Sequence, residues 1–184
     1  MDIITGLGLA IPAGLNAYIP LLTVAVAQQF GWIRLESPYA LLGEWWAIAL
    51  IAVLLAVEVV ADKVPAVDSV NDAVQTVVRP AAGGILFAAA AAGNDWVHPI
   101  VFIVAGVLLA GGVHAAKATA RPAVNATTAG VGGPVVSVVE DVASFVMTVA
   151  AIVAPVLAVG LAVVVLVMLV RWYRMRGRPR SAGA

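Results

Sequence analysis

Val142-Ala-Ser-Phe-Val-Met-Thr-Val-Ala-Ala-Ile-Val-Ala-Pro-Val-Leu-Ala-Val-Gly-Leu-Ala-Val-Val-Val-Leu-Val-Met-Leu-Val170 contains no charged residue. Arg171-Trp-Tyr-Arg-Met-Arg-Gly-Arg-Pro-Arg180 follows it directly. A helix needs about 20 apolar residues to cross a bilayer core. Trp and Tyr favour the membrane interface, and Arg clusters stay on the cytoplasmic side. This stretch therefore predicts an integral membrane protein whose C-terminus faces the cytoplasm.

The rest of the chain agrees with that reading. It is 63% hydrophobic and 11% charged, against about 25% charged residues in a typical soluble domain. So large an apolar excess implies several membrane segments rather than one anchor. The 184 residues fit one compact unit, read as a membrane domain over 1–173 with a basic cytoplasmic tail at 174–184. Net charge is zero, so no overall field recruits nucleic acid. With no cysteine, disulfides, thiolate metal sites and cysteine nucleophiles are excluded. No Lys or Arg precedes Arg34, so a signal peptide is not expected and the first apolar segment is predicted to remain.

Ile3–Ile33 is uncharged but holds Pro12, Gly14 and Pro20. Proline removes a backbone donor and clashes with the preceding turn, so this segment is predicted to be broken or kinked. Trp45–Ala61 reads as a helix with Trp45 and Trp46 as interface anchors. Asp68, Asp72, Gln75 and Arg79 fall on one helical stripe. Ser69 and Asp72 form a capping pattern there, and Pro80 follows. The expectation is a short amphipathic interfacial helix ending at Arg79. Pro99–Lys117 is the next span, with His114, Lys117 and Arg121 on one face at its end. Pro122–Pro134 is uncharged and a poor helix former. Ser137-Val-Val-Glu140 reads as a second capping box that opens a final helix. A continuous helix from there to Tyr173 would be about 52 Å long, too long for a core of about 30 Å. Its first turns are expected to lie in the interface, or the helix to break at Pro155.

Charge placement narrows the topology. With a cytoplasmic C-terminus and one crossing after Arg121, the residues Lys63, Arg79, Lys117 and Arg121 would all lie outside. A second crossing or a re-entrant dip moves them inside and leaves only Arg34 outside, as the positive-inside tendency prefers. The expected fold is thus an all-α integral membrane bundle of five to six segments, at least one broken or re-entrant. Pro65-Ala-Val-Asp-Ser-Val-Asn-Asp72 can also be laid on Pro134-Val-Val-Ser-Val-Val-Glu-Asp141 without a gap, a faint internal echo.

Gly14-Leu-Asn-Ala-Tyr-Ile-Pro20, Glu58-Val-Val-Ala-Asp-Lys-Val-Pro-Ala-Val-Asp-Ser69 and Arg79-Pro-Ala-Ala-Gly83 together resemble a family of small bacterial integral membrane proteins known only as a domain of unknown function. His114-Ala-Ala-Lys117, Asn125 and Glu140-Asp141 are similar to its later motifs. The resemblance runs from about Gly6 to Pro155. It departs at Thr127–Val136, which is richer in glycine and poorer in polar residues. It implies a multi-pass protein of the bacterial cytoplasmic (inner) membrane and supplies no activity.

Ionisable groups inside spans are costly, so those near helix ends are the candidates for an ion or substrate pathway. These are Glu58, Asp62, Lys63, Asp68, Asp72, Arg79, His114, Lys117, Arg121, Glu140 and Asp141. Asn16, Tyr18 and Asn125 join them because they lie in broken segments, where transporters place half-helix ends. Each has a plainer reading. The Asp68–Arg79 stripe can be a solvated face, His114 an interfacial histidine, and the asparagines caps. Two histidines, expected on opposite sides, argue against a histidine metal site, and no metal or cofactor is expected. H-E-x-x-H, G-x-S-x-G, Walker and D-G-x-x-A-R motifs are all absent.

The leading expectation is a small transporter or flippase-like protein for an anionic lipid or small ionic solute. Its mechanism would bring Glu58, Asn16 and Asn125 together at a polar pocket. The alternative is a non-transporting scaffold or assembly factor, whose small-residue faces Ala81–Gly84 and Gly106–Gly112 would pack against a partner. The partners expected are the lipid bilayer, an anionic lipid headgroup and a second copy in a homo-oligomer.

Overall fold

The computed structural model describes residues 1–62, 65–153 and 155–176, with the side chains of 65–70, 155–159 and 175–176 outside that description. Every regular element among them is helical: α1 (Ile3–Leu15), α2 (Tyr18–Gln29), α3 (Trp45–Ala61), α4 (Pro65–Ala91), α5 (Pro99–Thr127), α6 (Gly132–Val153) and α7 (Pro155–Arg176), with a short 3-10 turn at Tyr39–Gly43. Asn71–Ala91, α5 and α6 are long and apolar enough to cross a membrane, while α1 and α3 are shorter apolar helices. Large apolar side chains lie exposed along α3, α5, α6 and α7, including Val57, Leu108, Phe145 and Met168. A water-soluble monomer does not carry so extensive an apolar exterior. A membrane protein does, because lipid replaces water around it.

The break expected in the first segment is present, and its geometry is informative. Gly6 of α1 packs on Phe87 near the end of α4, whereas Gly14 packs on the Ala110 carbonyl and Val113 of α5. The chain then turns at Asn16, and α2 runs back. At its far end Gln28 packs on Gly43 and accepts a 2.7 Å hydrogen bond from the Leu35 amide. Gly93, in the turn between α4 and α5, faces the Glu36 carboxylate on the same side. So α1 and α2 form a hairpin that enters the bundle from one end and returns to it. Their 13 and 12 residues give about 20 and 18 Å at 1.5 Å per residue, each well short of a bilayer core of about 30 Å. Trp32, Trp45, Trp46 and Trp96 are exposed at the end where the hairpin enters, as an interfacial aromatic belt would be.

Three expectations about helix ends are corrected. Asp68–Arg79 is not a separate short helix, because α4 continues through Pro80. Proline deletes only one backbone bond, and beyond it Gly83 and Gly106 let the backbones of α4 and α5 nearly touch. This packing also occupies the small-residue faces of Gly83, Gly84 and Gly106, which are therefore unavailable to a partner. Pro122 likewise lies inside α5, which ends in Thr127 and Thr128 hydroxyl bonds back to the Ala123 and Val124 carbonyls. Finally, α6 begins at Gly132, so Ser137 sits inside the helix and caps nothing. In the long C-terminal segment α6 is described to Val153 and α7 from Pro155, and the expected break falls beside residue 154, outside the described residues.

Candidate functional site

The described ionisable residues of the candidate set gather where the hairpin turns. The ends of α1 and α3, the beginnings of α2, α4 and α6, and the second half of α5 all meet there. Asn16 organises the turn itself. Its backbone N–H donates to Pro12 O at 3.1 Å, completing α1. Its side-chain Oδ1 accepts from the Tyr18 and Ile19 amides at 3.0 and 3.1 Å, and so starts α2. Its Nδ2 donates to Asp141 Oδ1 of α6 at 2.9 Å. Lys117 Nζ donates to Leu15 O at 3.1 Å, placing a cation on the negative end of the α1 dipole. Ser144 holds the preceding turn through a 3.1 Å bond to Pro12 O.

One charged centre surrounds Asp62, one residue beyond the end of α3. Asp62 Oδ1 accepts from Asn71 at 2.8 Å. Its Oδ2 accepts from Arg121 at 3.2 Å and from the Ser137 hydroxyl at 3.0 Å, with Lys117 Nζ at 3.9 Å. Lys117 also pairs with Glu140 at 2.8 Å, and Arg121 reaches Asp72 at 3.4 Å. Four helices are thereby tied through one carboxylate. Burial alone would raise the Asp62 pKa, but Lys117, Arg121 and the Ser137 hydroxyl outweigh it and hold the carboxyl below its ordinary range. Asn71 and Ser137 lie in the two copies of the sequence echo and grip the two oxygens of Asp62.

The second centre surrounds Arg79, which is 0% exposed. Arg79 donates to Glu58 Oε1 at 2.9 Å. Its other terminal nitrogen lies 3.0 Å from His114 Nδ1. A guanidinium has only donors, so Nδ1 must accept, and the ring proton therefore sits on Nε2. Nε2 meets the Thr76 hydroxyl at 3.1 Å, and that hydroxyl donates to Asp72 O at 2.8 Å. Gln75 is also buried on α4, near the Tyr18 side chain. This centre is sparsely satisfied: Glu58 Oε2, Gln75 Oε1 and Arg79 Nε have no hydrogen-bond partner.

The expected meeting of Glu58, Asn16 and Asn125 does not occur as drawn. Glu58 bonds Arg79, Asn16 bonds Asp141, and the Asn125 side chain faces Gly133 across the α5–α6 turn. Lys63 and the Asp68 side chain lie outside the described residues. The surface grooves are lined by apolar side chains. One of about 410 Å³ runs between α2, α3 and α6, with Asp141 at its edge. Among the described residues, no three His, Asp or Glu side chains converge as a metal site would require. Sequence reasoning overlooked Asn71, Thr76 and Ser144, and assigned Ser137 to a cap. Asn71 and Thr76 flank the marked stripe, so the stripe was the available signal.

The family model described as a domain of unknown function, DUF4126, matches residues 3–175, and the chain belongs to that family. No curated protein and no solved structure matches the chain.

Proposed function

We propose that this protein is a small membrane carrier for an ionic solute, working at the buried charged cluster beside the Asn16 turn. The observation that carries this reading is the coincidence of two costly features in one place. A half-depth hairpin ends there, its helix-terminal amides and carbonyls held by Asn16, Lys117 and Ser144, and ionisable side chains are buried there. Transporters place their sites at such half-helix ends.

The charge balance favours a cation or a proton over an anionic headgroup. Arg79, Lys117 and Arg121 face Glu58, Asp62, Asp72 and Glu140, with Asp141 adjoining. An anion would have to displace carboxylates that already hold the cations. Reconstituted liposomes loaded with a pH-sensitive dye, under an imposed potential and with sodium, potassium or ammonium outside, test the reading. Flux above that of empty liposomes is expected. Flux equal to empty liposomes would overturn the reading in favour of the scaffold, which the close pairing around Asp62 suits.

The orientation belongs to the same proposal. The protein lies in the bacterial cytoplasmic membrane with its C-terminus and the α5–α6 turn in the cytoplasm. The α4–α5 turn faces outward. After Arg121, α6 is long and apolar enough to cross, and in this proposal α7 crosses back. Three of the four cations that first argued for it are weaker support, because Arg79, Lys117 and Arg121 are buried in the bundle rather than displayed in loops. The chain has no cysteine, so single substitutions report cleanly. Asp95→Cys should react with an impermeant thiol reagent in intact cells, whereas Ala129→Cys and Ser181→Cys should not. The opposite pattern would invert the model.

A further inference from the structure

We propose that Glu58 is a proton-binding residue, taking the proton on Oε2 while Oε1 stays bound to Arg79. Glu58 is 1% exposed. One of its oxygens is satisfied at 2.9 Å and the other has no partner. A buried acceptor left unpaired is costly, and more so when it carries charge. Adding a proton changes Oε2 from an orphaned acceptor into a donor. A second orphaned acceptor, Gln75 Oε1, lies one helical turn before Arg79. Gln75 and Glu58 share Tyr18 as a neighbour. One proton thus serves a neighbourhood that has a surplus of acceptors.

The other carboxylates are placed differently. Asp62 is bound on both oxygens. Glu140 Oε2 also lacks a hydrogen bond, but the Lys117 ammonium lies 2.8 Å from that same oxygen, so a cation already faces it. Asp72 holds Arg121 and Asp141 holds Asn16. The charged and titratable groups facing Glu58 are Tyr18 from α2, Asp62 on its own helix, Arg79 from α4, and His114 and Lys117 from α5. Arg79 favours the carboxylate, while burial and Asp62 favour the acid. His114 presents a lone pair to Arg79 and so fixes the guanidinium whichever form Glu58 takes. The step is a simple transfer: an O–H bond of hydronium breaks, the Oε2–H bond forms, and water is left. Arg79 keeps its protons throughout, because a guanidinium does not relay them.

The role of this proton in transport rests on the carrier reading, whereas the protonation does not. Infrared difference spectra between acidic and alkaline pH, on the full chain in lipid, read it directly. The wild type should show the carbonyl stretch of a protonated buried carboxyl, Glu58→Gln should lose it, and Asp72→Asn should keep it. Glu58→Asp should restore a shifted band, which covers the case in which Glu58→Gln folds poorly. A wild type without the band, or a band that survives unchanged in Glu58→Gln, would overturn the proposal. If the band behaves as expected, proton flux in liposomes should fall to the empty-liposome level in Glu58→Gln. A wild type with the band but no flux would leave Glu58 as a proton site and remove the carrier reading alone.

Discussion

Arg79 and Arg121 sit in the same cluster, yet they are held in opposite ways. Arg121 shares Asp62 with Lys117, Ser137 and Asn71, and has Asp72 beside it. Arg79 has one carboxylate, one neutral imidazole, and unpartnered atoms around it. The first centre behaves as a lock: one carboxylate holds two cations and two neutral donors, and four helices depend on it. The second can change its charge state, because one of its oxygens is not committed. Within a membrane, a polar network in which each carboxylate faces a cation from another helix resists rearrangement, and one with an uncommitted oxygen is where a proton or solute can be accommodated.

Mutation should separate the two centres. Asp62→Ala should be the most damaging change, since it strips Arg121 and Lys117 of their shared acceptor and leaves charge buried; about 3–5 kcal/mol is expected. Thermal unfolding of the purified protein in detergent measures it, and a loss within error of zero would end the description as a lock. Arg79→Met should cost less, about 1–3 kcal/mol, because Glu58 can take up a proton once its partner is gone. That escape weakens as pH rises, so the cost should grow from acidic to alkaline buffer. A flat profile would mean that Glu58 does not neutralise.

Ser137→Ala should follow, at about 1.5–3 kcal/mol for one hydrogen bond to a charged group, with the lower part of that range expected because Asp62 Oδ2 keeps Arg121. The same melting assay applies, and a cost matching Asp62→Ala would show that the hydroxyl rather than the ion pairs ties α6 to α3. Asp72→Asn should be the mildest. Its side chain is 24% exposed and its contact with Arg121 is 3.4 Å, so less than about 1 kcal/mol is expected. A larger loss would move Asp72 into the lock proper.

Much of this was legible before any coordinates. The Pro and Gly content of Ile3–Ile33 announced a broken helix, and Asn16 proved to be its hinge. The stripe of Asp72, Gln75 and Arg79 was visible from spacing alone. Its two readings could not be separated, because periodicity identifies a face without saying what covers it. Pro80 and Pro122 misled for a related reason. Local propensity gives proline a penalty, but packing against a neighbouring helix outweighs one missing hydrogen bond. Ser137 misled because a capping box and a buried hydroxyl ligand have the same local sequence.

Composition and periodicity by themselves determined that this chain is helical, lipid-facing and interrupted within Ile3–Ile33. Those are properties of hydrophobic transfer and backbone geometry, which act over a few turns. Only the tertiary structure decided that α1 and α2 return to the end they came from, and that α5 supplies the partners of α3, α4 and α6. Only it assigned Glu58 to Arg79 and Asp62 to Arg121 and Lys117. Ion pairs form between residues as far apart in sequence as Asp62 and Arg121, 59 residues. Any of these carboxylates could chemically satisfy any of these cations, so the choice belongs to the packing that sets which helix faces meet.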